Sequence, residues 1–81
     1  MESIKAEIFI PSYGITVEFM LPAYVSVRLL IEQMIFQLSE YYGMKLCFDT
    51  VILDTVQKGV LDPERNLCSQ GVKNGSKLYL I

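Results

Sequence analysis

The sequence predicts an α+β fold in which a mixed sheet of four to five strands packs on one long helix. Three observations carry this. Ile4, Ala6, Ile8 and Ile10, then Ile15, Val17 and Phe19, alternate with Lys5, Glu7, Thr16 and Glu18 at period two. Val27, Leu30, Ile31, Met34, Leu38 and Tyr41 recur at steps of three and four. Lys77, Tyr79 and Ile81 alternate with Leu78 and Leu80 at the end of the chain. A lone helix must bury its apolar stripe on one face of the sheet, which sets the architecture.

Each element has its own local reason. Pro11-Ser12-Tyr13-Gly14 is turn chemistry between two alternating runs, so the first two strands form an antiparallel hairpin. Pro22 has no N–H to give a ladder and closes the second strand. Ser26 is a natural N-cap. The helix runs from Val27 to Tyr42, about 24 Å at 1.5 Å per residue. Arg28, Glu32, Gln33, Gln37 and Glu40 make its polar side, and Gly43 stops it. A further extended segment within Lys45 to Val56 centres on Val51-Ile52-Leu53, and either parity fits it. Gln57-Lys58-Gly59 turns into a short strand, Val60-Leu61. Asp62-Pro63-Glu64-Arg65 is a turn with proline at its second position. One helical turn is expected within Leu67 to Gly71, and Asn74-Gly75 is a further turn. No internal repeat, low-complexity stretch or linker interrupts residues 1–81, which read as a single domain.

The composition excludes several functions. The chain has no histidine, so neither a Ser-His-Asp nor a Cys-His site can be assembled within it. Two cysteines without histidine leave a zinc site short of ligands. Asp49, Asp54 and Asp62 lack the dense oxygen spacing of a calcium loop. We therefore expect no enzyme, no metal and no cofactor. Lys and Arg number 7 against 9 Asp and Glu, a net charge of −2 that argues against nucleic acid. No apolar run approaches the roughly 18 residues of a membrane helix, so direct membrane insertion is not expected. The N-terminal residues do not form a signal peptide. Cys47 and Cys68 are expected as free thiols of a cytoplasmic protein. The Cys68-Ser69 pair invites a nucleophile reading, but a loop thiol is the stronger one.

The residues are 52% hydrophobic, with mean hydropathy +0.37. A domain this small buries only about 60–65% of its unfolded surface. Some of that apolar surplus therefore surfaces, pointing to a protein partner or to a homo-oligomer.

The element order places the first and last strands side by side, in parallel, at the sheet centre. This is the β-grasp arrangement. Leu61-Asp62-Pro63-Glu64-Arg65-Asn66-Leu67, followed by Gly71-Val72-Lys73-Asn74-Gly75-Ser76-Lys77-Leu78-Tyr79-Leu80-Ile81, resembles the ubiquitin pattern. That pattern is a leucine, a polar turn, a second leucine, and a short loop into an apolar final strand. The ending is most similar to the YukD family, the ubiquitin-like proteins of type VII (ESX-type) secretion systems. The resemblance implies a ubiquitin-like β-grasp fold. It also implies an accessory cytosolic role in secretion, docked to an ATPase or a membrane component. Conjugated ubiquitin-like proteins and sulfur carriers act through a flexible Gly-Gly tail. Here the sequence ends Leu80-Ile81, so a non-conjugated, non-catalytic interaction module is expected. A carrier lacking its tail and an adaptor outside secretion are the alternatives.

Strand parity selects the candidate surface. If Leu78 and Leu80 face the helix, Tyr79 and Ile81 face away, together with Phe9 on the neighbouring strand. Phe9, Tyr79 and Ile81, with Lys77 at the rim, are the candidate partner surface. By resemblance, Ile81 occupies one position of the apolar patch through which ubiquitin-like proteins dock. Leu29 and Phe36, off the main helix face, are the second candidate, unless the Lys45–Thr50 loop covers them.

Overall fold

A computed structural model describes residues 2–46, 51–55 and 59–81. Strand β1 (Ser3–Ile10) pairs antiparallel with β2 (Ile15–Pro22). Helix α1 (Val27–Tyr42) crosses over. Strands β3 (Ile52–Asp54), β4 (Gly59–Val60) and β5 (Ser76–Leu80) complete a sheet of order β2-β1-β5-β3-β4. The central β1–β5 pair is parallel and the other pairs are antiparallel. This is the β-grasp topology.

The hairpin follows from its alternation. Ile4, Ala6, Ile8 and Ile10 are buried on the helix side, and the chain turns at Gly14, with φ 66°. Tyr13 braces this turn, its hydroxyl accepting from the Lys45 N–H at 2.7 Å. Val27, Leu30, Ile31, Met34 and Leu38 of α1 press on the sheet, where Ile52, Leu78 and Leu80 meet them. Leu61, Leu67 and Val72 close the core from the connection that leads to β5.

Some expectations are corrected. Tyr41 has the helical phase of the buried stripe yet is 79% exposed. It sits in the last turn of α1. Beyond it Gly43, at φ 66°, turns the chain back and inserts Met44 into the core instead. Ser26 stands at the N-cap position, but its side chain makes no capping bond. The first helical N–H groups are satisfied from across the fold: Val27 donates to the Arg65 carbonyl and Arg28 to that of Pro63, both at 2.9 Å. The short strand is Gly59–Val60 rather than Val60-Leu61; Leu61 is buried, and its N–H still donates to the Ile52 carbonyl at 2.8 Å. The two-way parity of the third strand resolves with Ile52 and Asp54 inward and Leu53 outward. The turn at Gln57-Lys58, the thiol of Cys47 and residues 47–50 of the loop before β3 lie outside the described residues.

The chain from Leu61 to Gly75 matches its turn chemistry. Arg65 N–H reaches the Asp62 carbonyl at 3.2 Å, and Glu64 N–H reaches Asp62 Oδ1 at 2.9 Å. A single 3₁₀ turn spans Cys68–Gln70, and Gly71 ends it at φ 80°. Asn74 Oδ1 accepts from the Lys5 N–H at 2.9 Å, tying this loop to β1.

Candidate functional site: the open face of the sheet

The helix covers one face of the sheet and leaves the other open. Register places Phe9 opposite Thr16 on β2 and beside Tyr79 on β5. Tyr79 in turn pairs with Leu53, and Leu53 with Val60. Partners across a sheet share a face. Phe9, Tyr79, Leu53 and Val60 therefore form one apolar row across four strands, about 14 Å at 4.8 Å per strand. The Phe9 and Tyr79 rings are tilted by 60°, with centroids 5.3 Å apart. Phe9 and Leu53 are half-buried, whereas Tyr79 and Val60 are exposed. Ile81 is 51% exposed just beyond β5. It exchanges backbone hydrogen bonds with Val51, at 2.7 and 3.0 Å, which widens the row by a second apolar pair.

One long side of the row is charged. Glu7 faces Glu18 across the hairpin and is in register with Lys77 on β5. Lys5 Nζ lies 3.4 Å from Glu18 Oε1, so this border mixes signs. The Lys77 carbonyl accepts from Thr55 Oγ1 at 2.7 Å, anchoring its backbone while the side chain stays at the surface. A shallow depression runs between border and row, lined by Glu7, Phe9, Thr16, Lys77 and Tyr79.

The structure thus brings Phe9, Lys77, Tyr79 and Ile81 to one face. Leu53, Val51 and Val60 join them, and sequence reasoning missed these. The signal of Val51 and Leu53 was present but split between two parities in the 51–54 segment. Leu29 and Phe36 do not belong to this face. They lie on the outer side of α1, 50% and 65% exposed.

Among the described residues little else resembles a chemical site. Cys68 is an exposed free thiol, and no histidine exists to take its proton. Nearby, the Tyr24 hydroxyl donates to Glu2 Oε2 at 3.1 Å. That bond, the carboxylate's charge and the adjacent Cys68 hold the Tyr24 pKa above the ordinary tyrosine value. Among the described residues no cluster of His, Cys, Asp or Glu is able to hold a metal ion. Among them, too, no helix is long and apolar enough to cross a membrane.

No protein family model matches the chain, and no curated protein matches it by sequence. Solved structures do match in shape. The ubiquitin-like domain of the Mycobacterium tuberculosis type VII secretion system protein EccD1 superposes with TM-score 0.77 at 21% identity, covering 100% of this chain and 99% of that one. Caldiarchaeum subterraneum ubiquitin gives TM-score 0.73 at 21% identity, over 98% of this chain and 91% of that one. A chain of the MycP5-free ESX-5 inner membrane complex gives TM-score 0.71 at 16% identity, over 100% of this chain and 21% of that one. The fold is the ubiquitin-like β-grasp.

Proposed function

We propose that this chain is a non-conjugated ubiquitin-like interaction module, YukD-like in role, serving as an accessory cytosolic component of a bacterial type VII secretion system. It acts without catalysis or cofactor, by docking its open sheet face on a protein of the apparatus such as the secretion ATPase or a membrane component. One observation carries the reading. Phe9, Tyr79, Leu53 and Val60 are aligned in register across four strands, with Ile81 beside them and a charged border at Glu7 and Lys77. Aromatic anchors inside a polar rim are what a protein interface uses. The likeness to the EccD1 domain and to a chain of the ESX-5 membrane complex supports placing the partner in such a system.

The test combines Tyr79→Ala with Ile81→Ser. Both side chains lie outside the core, so the melting curve should stay close to wild type. Binding to the cytosolic domain of the secretion ATPase, measured by calorimetry, should weaken by about 1–3 kcal/mol. Equal binding by wild type and variant, with both folded, would overturn the assignment of this face.

A further inference from the structure

Helix α1 carries apolar side chains on two sides, and the sheet covers one of them. Val27, Leu30, Ile31, Met34 and Leu38 are buried against the sheet. Leu29 and Phe36 stand on the opposite side, away from the sheet, and both are exposed. Their seven-residue spacing is about two turns, which sets them in line along the helix about 10 Å apart. Glu32 lies three residues from Leu29 and four from Phe36, and Glu40 lies four beyond Phe36. Both are exposed, so the two carboxylates share the outer crest with the two apolar side chains.

The charge of this crest is not balanced within the chain. Arg28 is the one cation of α1, and its Nε donates to Glu64 Oε1 at 2.9 Å. Glu32, one turn on, feels that guanidinium without forming an ion pair with it. Among the described residues the ion pairs are Lys5–Glu18 and Arg28–Glu64, and neither includes Glu32 or Glu40. Glu40 is the less compensated of the two. It belongs to the last turn of α1, which holds no basic residue, so its carboxylate sits at the negative end of the helix dipole. A second copy of this chain does not relieve this. A two-fold that stacks Leu29 of one copy on Phe36 of the other brings the two Glu32 carboxylates together at the axis, and a parallel pairing does the same to Glu40.

We propose that the outer crest of α1 docks a basic amphipathic helix of a protein partner, lying antiparallel to α1. Apolar residues two turns apart on that helix seat on Leu29 and Phe36, and lysine or arginine on its flanks meets Glu32 and Glu40. The antiparallel direction brings the positive end of the added helix to Glu40 and to the negative end of α1. An exposed ridge at steps of three and four is the shape that one helix offers another. One helix on one helix is a small interface, under about 1,200 Å², so the contact is transient. The site is separate from the open face, because helix and sheet lie between Phe36 and Tyr79. A chain docked on both sides joins two proteins.

The experiment adds three synthetic peptides to the ¹⁵N-labelled whole chain. The first is a leucine–lysine helix of about 18 residues with its leucines on one side, long enough to be helical alone. The second has glutamate for lysine, and the third is a scrambled leucine–lysine sequence with no apolar side. The first should bind saturably, shifting the amides of Leu29, Glu32, Phe36 and Glu40 and leaving Phe9 and Tyr79 unmoved. The other two should bind at least about tenfold more weakly, as should the first peptide to Phe36→Ser. Glu32→Lys combined with Glu40→Lys should invert the preference, so that the glutamate helix becomes the tighter ligand. All three side chains are exposed, so the melts should stay close to wild type; if Phe36→Ser fails to fold, the charge inversion decides the matter. The proposal is overturned by absence of binding, a footprint on Phe9 and Tyr79, or equal binding of the scrambled peptide. A preference that survives the charge inversion, or a folded Phe36→Ser that binds like wild type, overturns it too. Shifts at Leu29 and Phe36 in the protein alone, growing with its concentration, would make a second copy the occupant and overturn it as well.

Discussion

Leu78 and Tyr79 are neighbours in sequence and opposites in environment. Leu78 is fully buried between β1, β3 and α1, while Tyr79 lies on the open face against Phe9. Leu78→Ala should cost about 2–5 kcal/mol, because it removes buried methyl groups and leaves a cavity. Tyr79→Ala should cost far less. Urea unfolding of the two variants checks this, and equal losses would mean that Tyr79 is also core. Tyr24 offers a titration at the same scale. Its hydroxyl donates to Glu2, so ionising it sets two negative charges together and raises its pKa. A raised folded-state pKa means that this contact contributes below the ordinary tyrosine value of about 10 and is lost as pH rises through the folded value. In an ultraviolet titration Tyr24 should ionise late, and Glu2→Gln should bring it back toward the ordinary value. Titration of Tyr24 unchanged by Glu2→Gln would remove the contact from consideration.

Among the elements, α1 shows how caps are shared between local and distant residues. Gly43 is local: at φ 66° with open space around it, an added Cβ meets no atom but still strains the backbone. Gly43→Ala should therefore destabilise by about 1–2 kcal/mol. The other end is distant. Ser26 makes no side-chain cap, and the Arg65 and Pro63 carbonyls take the helix N–H groups instead. Ser26→Ala should fall short of the roughly 1 kcal/mol of a working cap. Thermal melts of the two variants separate these cases, and a larger loss at Ser26 than at Gly43 would reverse the assignment. The Arg28 guanidinium also donates to the Glu64 carboxylate. Both side chains are largely exposed, so this adds little to what the backbone bonds already hold.

At the scale of the whole molecule, the last strand sits in the middle of the sheet. β5 joins the hairpin on one side to β3 on the other and supplies Leu78 and Leu80 to the core. Removing residues 76–81 should abolish cooperative unfolding altogether, since the remaining strands share no ladder with one another across the gap. A truncated chain that still melts in one sharp transition, followed by circular dichroism, would show the hairpin and helix to be sufficient. The same central placement ties folding to a pairing between residues some seventy positions apart, Ala6 with Ser76 and Phe9 with Tyr79. Such long-range closure slows folding relative to local contacts.

What the residues alone determined is whatever depends on period and on turn chemistry. The period-two runs of β1 and β2, the α1 stripe and its stop at Gly43, and the outward parity of Phe9, Tyr79 and Ile81 all follow from side-chain direction, which is local. The absence of histidine removed imidazole catalysis in the same way. Only tertiary structure decided the rest. The 51–54 segment fits either parity by itself, and pairing with β5 chose Ile52 and Asp54 for the interior and Leu53 for the open row. Tyr41 keeps the phase of the core, yet Gly43 folds Met44 into its place and leaves the tyrosine beside β2. Ser26 has the chemistry of a cap, yet distant carbonyls reached the helix N–H groups. The open β2 edge is likewise invisible to period and composition. Whether a strand is central or terminal depends on which segments pair, and that is settled by the whole chain folding together.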